Sequence, residues 1–93
     1  MRYLESSAFE RQLRALRDRR RLAAVREAVL RLVDSLEEGG KPPAGLGLKM
    51  LRPPFWEIRS SLQDRIVFAW EGREVVFAAV GTHDEIKRFL RAL

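Results

Sequence analysis

The sequence predicts an α+β domain in which an N-terminal helical hairpin packs on an antiparallel β-sheet and a short helix ends the chain. Three observations lead there. Apolar residues recur with spacings of three and four up to Leu36, the period changes to two after Phe55, and a capping signature at Thr82 precedes one last helical stripe. Between the two halves, Gly39-Gly40-Lys41-Pro42-Pro43-Ala44-Gly45 crowds glycine and proline together and marks a connector.

In chain order, Arg2-Tyr3-Leu4 is short enough to be an opening strand, and Ser7 with Glu10 reads as a capping box ahead of Phe9, Leu13 and Leu16 on one helical face. A second stripe follows at Leu22, Val25, Val29, Leu32 and Leu36. It is one residue out of phase with the first, which puts a break in the charged stretch Asp18-Arg19-Arg20-Arg21. Either two helices meet there or one helix bends. After the connector, Leu48-Lys49-Met50-Leu51 reads as an extra strand ended by Pro53-Pro54, since proline cannot donate to a ladder. The runs 55–59, 65–70 and 74–80 are β-branched and aromatic, and short polar breaks make them a meander. Glu71-Gly72 forms the tight connection between the last two. Thr82 and Glu85 form a second capping box, followed by Ile86, Phe89, Leu90 and Leu93 on one face. Helices then cover one sheet face and leave the other partly open.

Composition bounds the function. Ninety-three residues leave room for one domain spanning 1–93, and 46% hydrophobic with 33% charged residues is a globular balance. No apolar run approaches the roughly 20 residues that span a bilayer, and the start lacks a signal-peptide core, so the expected compartment is the cytoplasm, without membrane contact. The absence of cysteine and the single histidine remove disulfides, thiolate zinc sites, cysteine nucleophiles and histidine-rich metal clusters. No Walker loop, dinucleotide fingerprint or nucleophile elbow is present, and no metal or other cofactor is expected. Net charge is +5, and 15 of the 18 basic residues are arginine, the better fork for two phosphate oxygens. A polyanion accounts for that bias; so does a codon preference or thermal adaptation.

Strand alternation selects the candidate site. Glu57 and Arg59 project to one face of their strand, with Trp56 and Ile58 on the other; Arg65, Val67 and Ala69 oppose Ile66, Phe68 and Trp70. If the large apolar sets meet the helices, Glu57, Arg59 and Arg65 crowd the open face. There they form either a cross-strand ion pair or a two-arginine phosphate cradle in which Glu57 orients an arginine or accepts a proton. His83 occupies the first helical position after Thr82, at the positive end of the helix. It is either an exposed first-turn histidine or an acid–base group, depending on whether the strand end brings it beside Arg59 and Arg65. Phe89 is a core residue or a base-stacking one. The helical arginines at 14, 17, 19, 20, 21, 26 and 31 are a solvated face or sequence-independent phosphate contacts.

A leading helical pair, Gly47-Leu48-Lys49-Met50-Leu51, Phe55-Trp56-Glu57-Ile58-Arg59, Arg65-Ile66-Val67-Phe68 and the ending Val80-Gly81-Thr82-His83-Asp84-Glu85 together resemble the RelE/ParE superfamily of bacterial toxins over nearly the whole chain. The resemblance implies two helices on a twisted antiparallel sheet, a cognate antitoxin that masks the basic face, and a heterotetramer with it as one assembly. RelE-like members are ribosome-dependent endoribonucleases acting on mRNA, whereas ParE-like members inhibit DNA gyrase; a non-catalytic member would only bind antitoxin or nucleic acid. The histidine at the end favours the RNase branch, in which the ribose 2′-hydroxyl attacks the adjacent phosphate without a metal. By position, Arg65 then stabilises the transition state, Arg59 positions phosphate, His83 transfers a proton, and Lys49, Arg52, Lys87 and Phe89 bind RNA. This chain departs from the RelE type at Phe55 and Glu57, where lysines are usual. Glu57 then takes a proton-transfer role or activity is lower. Phe89 lacks the hydroxyl of a tyrosine, and Lys87 stands where relatives often carry an aromatic.

Overall fold

Alternating apolar residues commit both faces of the sheet to packing. The computed structural model describes residues 1–39 and 45–93. Its elements run β1 (Arg2–Glu5), α1 (Ser7–Ala15), α2 (Arg19–Gly39), β2 (Lys49–Met50), β3 (Phe55–Arg59), β4 (Asp64–Glu71), β5 (Glu74–Thr82) and α3 (His83–Arg91). The sheet order is β1-β5-β4-β3-β2. Strands β2 to β5 pair antiparallel as the alternation predicts, but β1 joins β5 in parallel, so the sheet is mixed at one edge. The hairpin between β4 and β5 turns at Gly72, whose φ of 58° suits a residue without Cβ. Residues 40–44 of the glycine-proline connector lie outside the described residues.

The first helix is capped one residue earlier than the sequence suggests. Ser6, not Ser7, accepts from the Phe9 amide at 3.0 Å, because β-pairing continues through Ser6, whose amide donates to Phe77 O at 2.9 Å. Its hydroxyl also donates to Ala78 O. The break between α1 and α2 spans 16–18, ahead of the arginine run: Asp18 Oδ1 accepts from the Arg20 and Arg21 amides, and the three arginines lie within α2. Two helices exist here, not one bent helix.

On one face, Phe9, Val25, Leu32 and Leu36 pack against Ile58, Ile66, Phe68 and Phe77. The opposite face is not open. There Ile86 of α3 packs on Val67, Ala78 and Ala79, flanked by Phe55, Phe89 and Leu90. A bulge makes this fit. Val67 pairs with Ala79 but Phe68 pairs with Phe77, so Ala78 is the extra residue and two small side chains lie under α3. Leu93 falls beyond the helix and is exposed. Past the end of β1, the edge of β5 is covered by α1, where the Val80 amide donates to Gln12 Oε1 at 2.8 Å. Among the described residues no helix is long and apolar enough to cross a membrane.

Candidate nucleic-acid site

The sheet register sets up the site before any side chain is considered. Arg59 pairs with Arg65 and Arg65 with Gly81; one step along, Glu57 pairs with both Lys49 and Val67. These residues share the face that α3 covers, so the expected convergence of Glu57, Arg59 and Arg65 occurs, but under a helix instead of in the open. Glu57 is 7% exposed and the Arg65 side chain 13%. Burial requires Glu57 to have a cationic partner, and Arg65 Nε lies 3.6 Å from its Oε2. The ion pair takes one edge of the guanidinium. Arg65 Nη1 is buried with no hydrogen-bond partner among the described residues. An orphaned cationic donor is a high-energy group that a phosphate oxygen would satisfy.

Arg59, by contrast, is exposed, and its stem lies along Gly47. A Cβ on Gly47 would make ordinary contact with Arg59 Cδ at 3.4 Å, so it is the glycine's φ of 62° that disfavours a side chain there. The two arginines therefore start from neighbouring positions and differ in environment.

His83 begins α3 as its spacing predicts. Thr82 caps the helix with a complete capping box, accepting from the Glu85 amide while Glu85 Oε1 accepts from the Thr82 amide at 2.8 Å. The returning carboxylate occupies the space above Gly81, where a Cβ would approach it to 2.8 Å. His83 is exposed, two residues beyond the partner of Arg65. Among the described residues no hydrogen bond or ion pair joins it to Arg59, Arg65 or Glu57.

Lys49, Arg52 and Lys87 are exposed around the same face. Lys49 and Arg52 line an open groove with Arg91, which the sequence reading did not single out, and Arg52 Nη2 reaches Leu90 O at 3.4 Å. Phe89 is half-buried and meets Phe55 edge-on, with ring centroids 6.4 Å apart at 86°. That contact accounts for it as packing.

No protein-family profile and no curated protein sequence matches this chain. Solved structures do match. YafQ from E. coli superposes with a TM-score of 0.72 at 14% identity, covering 92% of this chain and 98% of its own. A RelB–RelE antitoxin–toxin complex from Methanococcus jannaschii gives 0.66 at 15%, covering 92% and 96%. A heterotetrameric YoeB–YefM toxin–antitoxin complex from Staphylococcus aureus gives 0.65 at 14%, covering 89% and 97%. The fold is that of the RelE-like toxins.

On this RelE-like fold, the residue that sequence reasoning missed is Asp64. It is fully buried at the start of β4, directly before Arg65, and Arg21 grips it through two hydrogen bonds, Nε to Oδ2 at 2.9 Å and Nη2 to Oδ1 at 2.7 Å. The carboxylate's hydrogen bonds raise the Arg21 pKa against the opposing effect of burial. Arg21 is thus not part of a solvated face. Ser61 Oγ accepts from the Asp64 amide, and Asp64 pairs with Thr82, so one anchor holds the strand ends that precede Arg65 and His83. Nothing in the sequence distinguishes Arg21 from its neighbours; an acidic residue opening an apolar strand was the available signal.

Proposed function

We propose that this chain is the toxin of a toxin–antitoxin pair and cleaves ribosome-bound mRNA. The observation that carries the reading is Arg65: a nearly buried guanidinium, tethered at Nε by Glu57, with an Nη1 that has no partner among the described residues, one strand away from Arg59. The solved neighbours with this fold include toxins crystallised with RelB, YefM or DinJ, which supports a cognate antitoxin partner and a heterotetramer with it.

The chemistry needs no protein nucleophile. The 2′-oxygen attacks the adjacent phosphorus, the bond to the 5′-oxygen breaks, and the products are a 2′,3′-cyclic phosphate and a 5′-hydroxyl. Arg65 stabilises charge on the non-bridging oxygens as the phosphorane forms, a role whose loss costs on the order of a hundredfold or more in rate. Glu57, buried and already paired, orients Arg65. Arg59 positions phosphate from solvent. His83, exposed at the start of α3, moves a proton to or from the reacting oxygens. Lys49, Arg52 and Lys87 contact the RNA backbone. The ribosome completes the geometry that so small a chain leaves open.

Inducible expression followed by mRNA 5′-end mapping tests this reading. New 5′ ends in translated messages that disappear in the Arg65→Ala, His83→Ala double variant support it. Growth arrest with intact mRNA and a DNA-damage response would instead assign a gyrase-directed inhibitor, and no arrest at all a binding-only protein.

A further inference from the structure

We propose that the cavity between α2 and the Gly45-Leu46-Gly47 loop is a second phosphate site, one that takes a backbone phosphodiester of single-stranded RNA other than the phosphate handled at Arg65. The cavity has a volume of about 280 Å³ and is lined by Arg31, Arg59, Ser60, Ser61, Leu46 and Glu27 among others. That is just below the roughly 300 to 1,000 Å³ of whole-ligand pockets, and it suits a single group of a longer chain.

Two cationic side chains from different elements meet this loop at its glycines. Gly45 and Gly47 both have positive φ, 89° and 62°. A Cβ on Gly45 would lie 3.7 Å from Arg31 Nη2, and one on Gly47 would lie 3.4 Å from Arg59 Cδ. Leu46 between them is buried and anchors the loop, its carbonyl accepting from the Arg59 amide at 2.7 Å. The hydroxyls add donors. Ser61 Oγ accepts from the Gln63 and Asp64 amides, which leaves its O–H available to donate. Ser60 Oγ is buried with no partner among the described residues, a state that a bound acceptor would relieve. Glu27 selects among anions: its carboxylate repels a phosphate dianion more than a diester monoanion, and it can accept from a ribose 2′-hydroxyl.

Arg59, which lines the cavity, is cross-strand to Arg65 in the sheet register. The inference rests on the RNA reading but not on cleavage. Its test is binding of a fluorescent single-stranded RNA to the isolated protein, without ribosomes, as a function of salt. Arg31→Gln removes the charge of an exposed side chain and keeps it polar, and a melting curve of the variant verifies that it is folded. The expected result is roughly tenfold weaker binding at low salt and a log K against log salt slope reduced by about 0.7. Parental affinity and slope in Arg31→Gln overturn the site, as does failure of the parent protein to bind the RNA. So does a variant defect confined to binding an acidic antitoxin peptide. Loss of binding in Arg31→Gln together with absence of ribosome-dependent cutting by the parent would uphold the site and reject the nuclease reading.

Discussion

Replacing Asp64 with Asn should be among the most destabilising single substitutions in this protein that removes no apolar surface. Asp64 is fully buried, and the Arg21 side chain that grips it is 26% exposed. Losing one partner of a buried, doubly hydrogen-bonded pair costs about 3 to 5 kcal/mol, because the remaining charge stays uncompensated. Partial access of water to Arg21 puts the effect at the lower end, about 3 kcal/mol. For a chain of this size each kcal/mol lowers the melting temperature by roughly 4 to 8 °C. Asp64→Asn should therefore lose about 15 °C by circular dichroism, with a matching fall in the urea midpoint. Arg21→Lys keeps the charge but gives up the fork, and should lose about a third of that. The double substitution Arg21→Met, Asp64→Leu should recover much of the loss, since an apolar pair needs no compensation. A drop under 3 °C in Asp64→Asn, or a double variant less stable than both single ones, would refute the assignment of Asp64 as a buried anchor.

Other expectations follow from the same geometry. Gly81→Ala forces the Glu85 carboxylate off its perch and opens half of the capping box; about 1 kcal/mol of stability should go, read as a drop of roughly 5 °C in melting temperature. Thr82→Ala should cost a similar amount and add little in the Gly81→Ala background, because both act on one cap. Tyr3 donates to Glu37 at 2.8 Å, and burial first, with that carboxylate second, pushes its pKa up to about 12. A folded value above the unfolded one near 10 means the contribution is complete below pH 10 and lost as pH rises toward 12. The stability difference between the parent and Tyr3→Phe should shrink across that window in denaturant titrations. Glu37, held low chiefly by the same hydrogen bond, contributes above the ordinary carboxylate range, a contribution lost as pH falls through its lowered value.

The sequence predicts the sheet well where local pattern decides it. Phe55 to Arg59 and Ile66 to Trp70 alternate cleanly, and the same alternation assigns Glu57, Arg59 and Arg65 to a common face. Thr82 and Glu85 announce their helix because a capping box is local. What pattern cannot reveal depends on distant partners. The parallel pairing of β1 is decided by where the chain returns after two helices. The covering of the second face depends on the bulge at Ala78, which lets α3 lie close, and it turns an open cradle into a nearly buried Arg65. Ser6 takes the cap from Ser7 because β5 holds it in extended geometry. The Arg21–Asp64 pair joins residues 43 positions apart, and no spacing rule reaches that far.

The proposed action of Arg65 on a phosphate of ribosome-bound mRNA is tested with purified protein, ribosomes stalled on an end-labelled message, and chemical analysis of the product termini. The expected cut yields a 2′,3′-cyclic phosphate and a 5′-hydroxyl, and Arg65→Ala slows it at least a hundredfold in a variant that melts as a folded protein. Cleavage at the parental rate in that variant, or products ending in a 5′-phosphate, would contradict it.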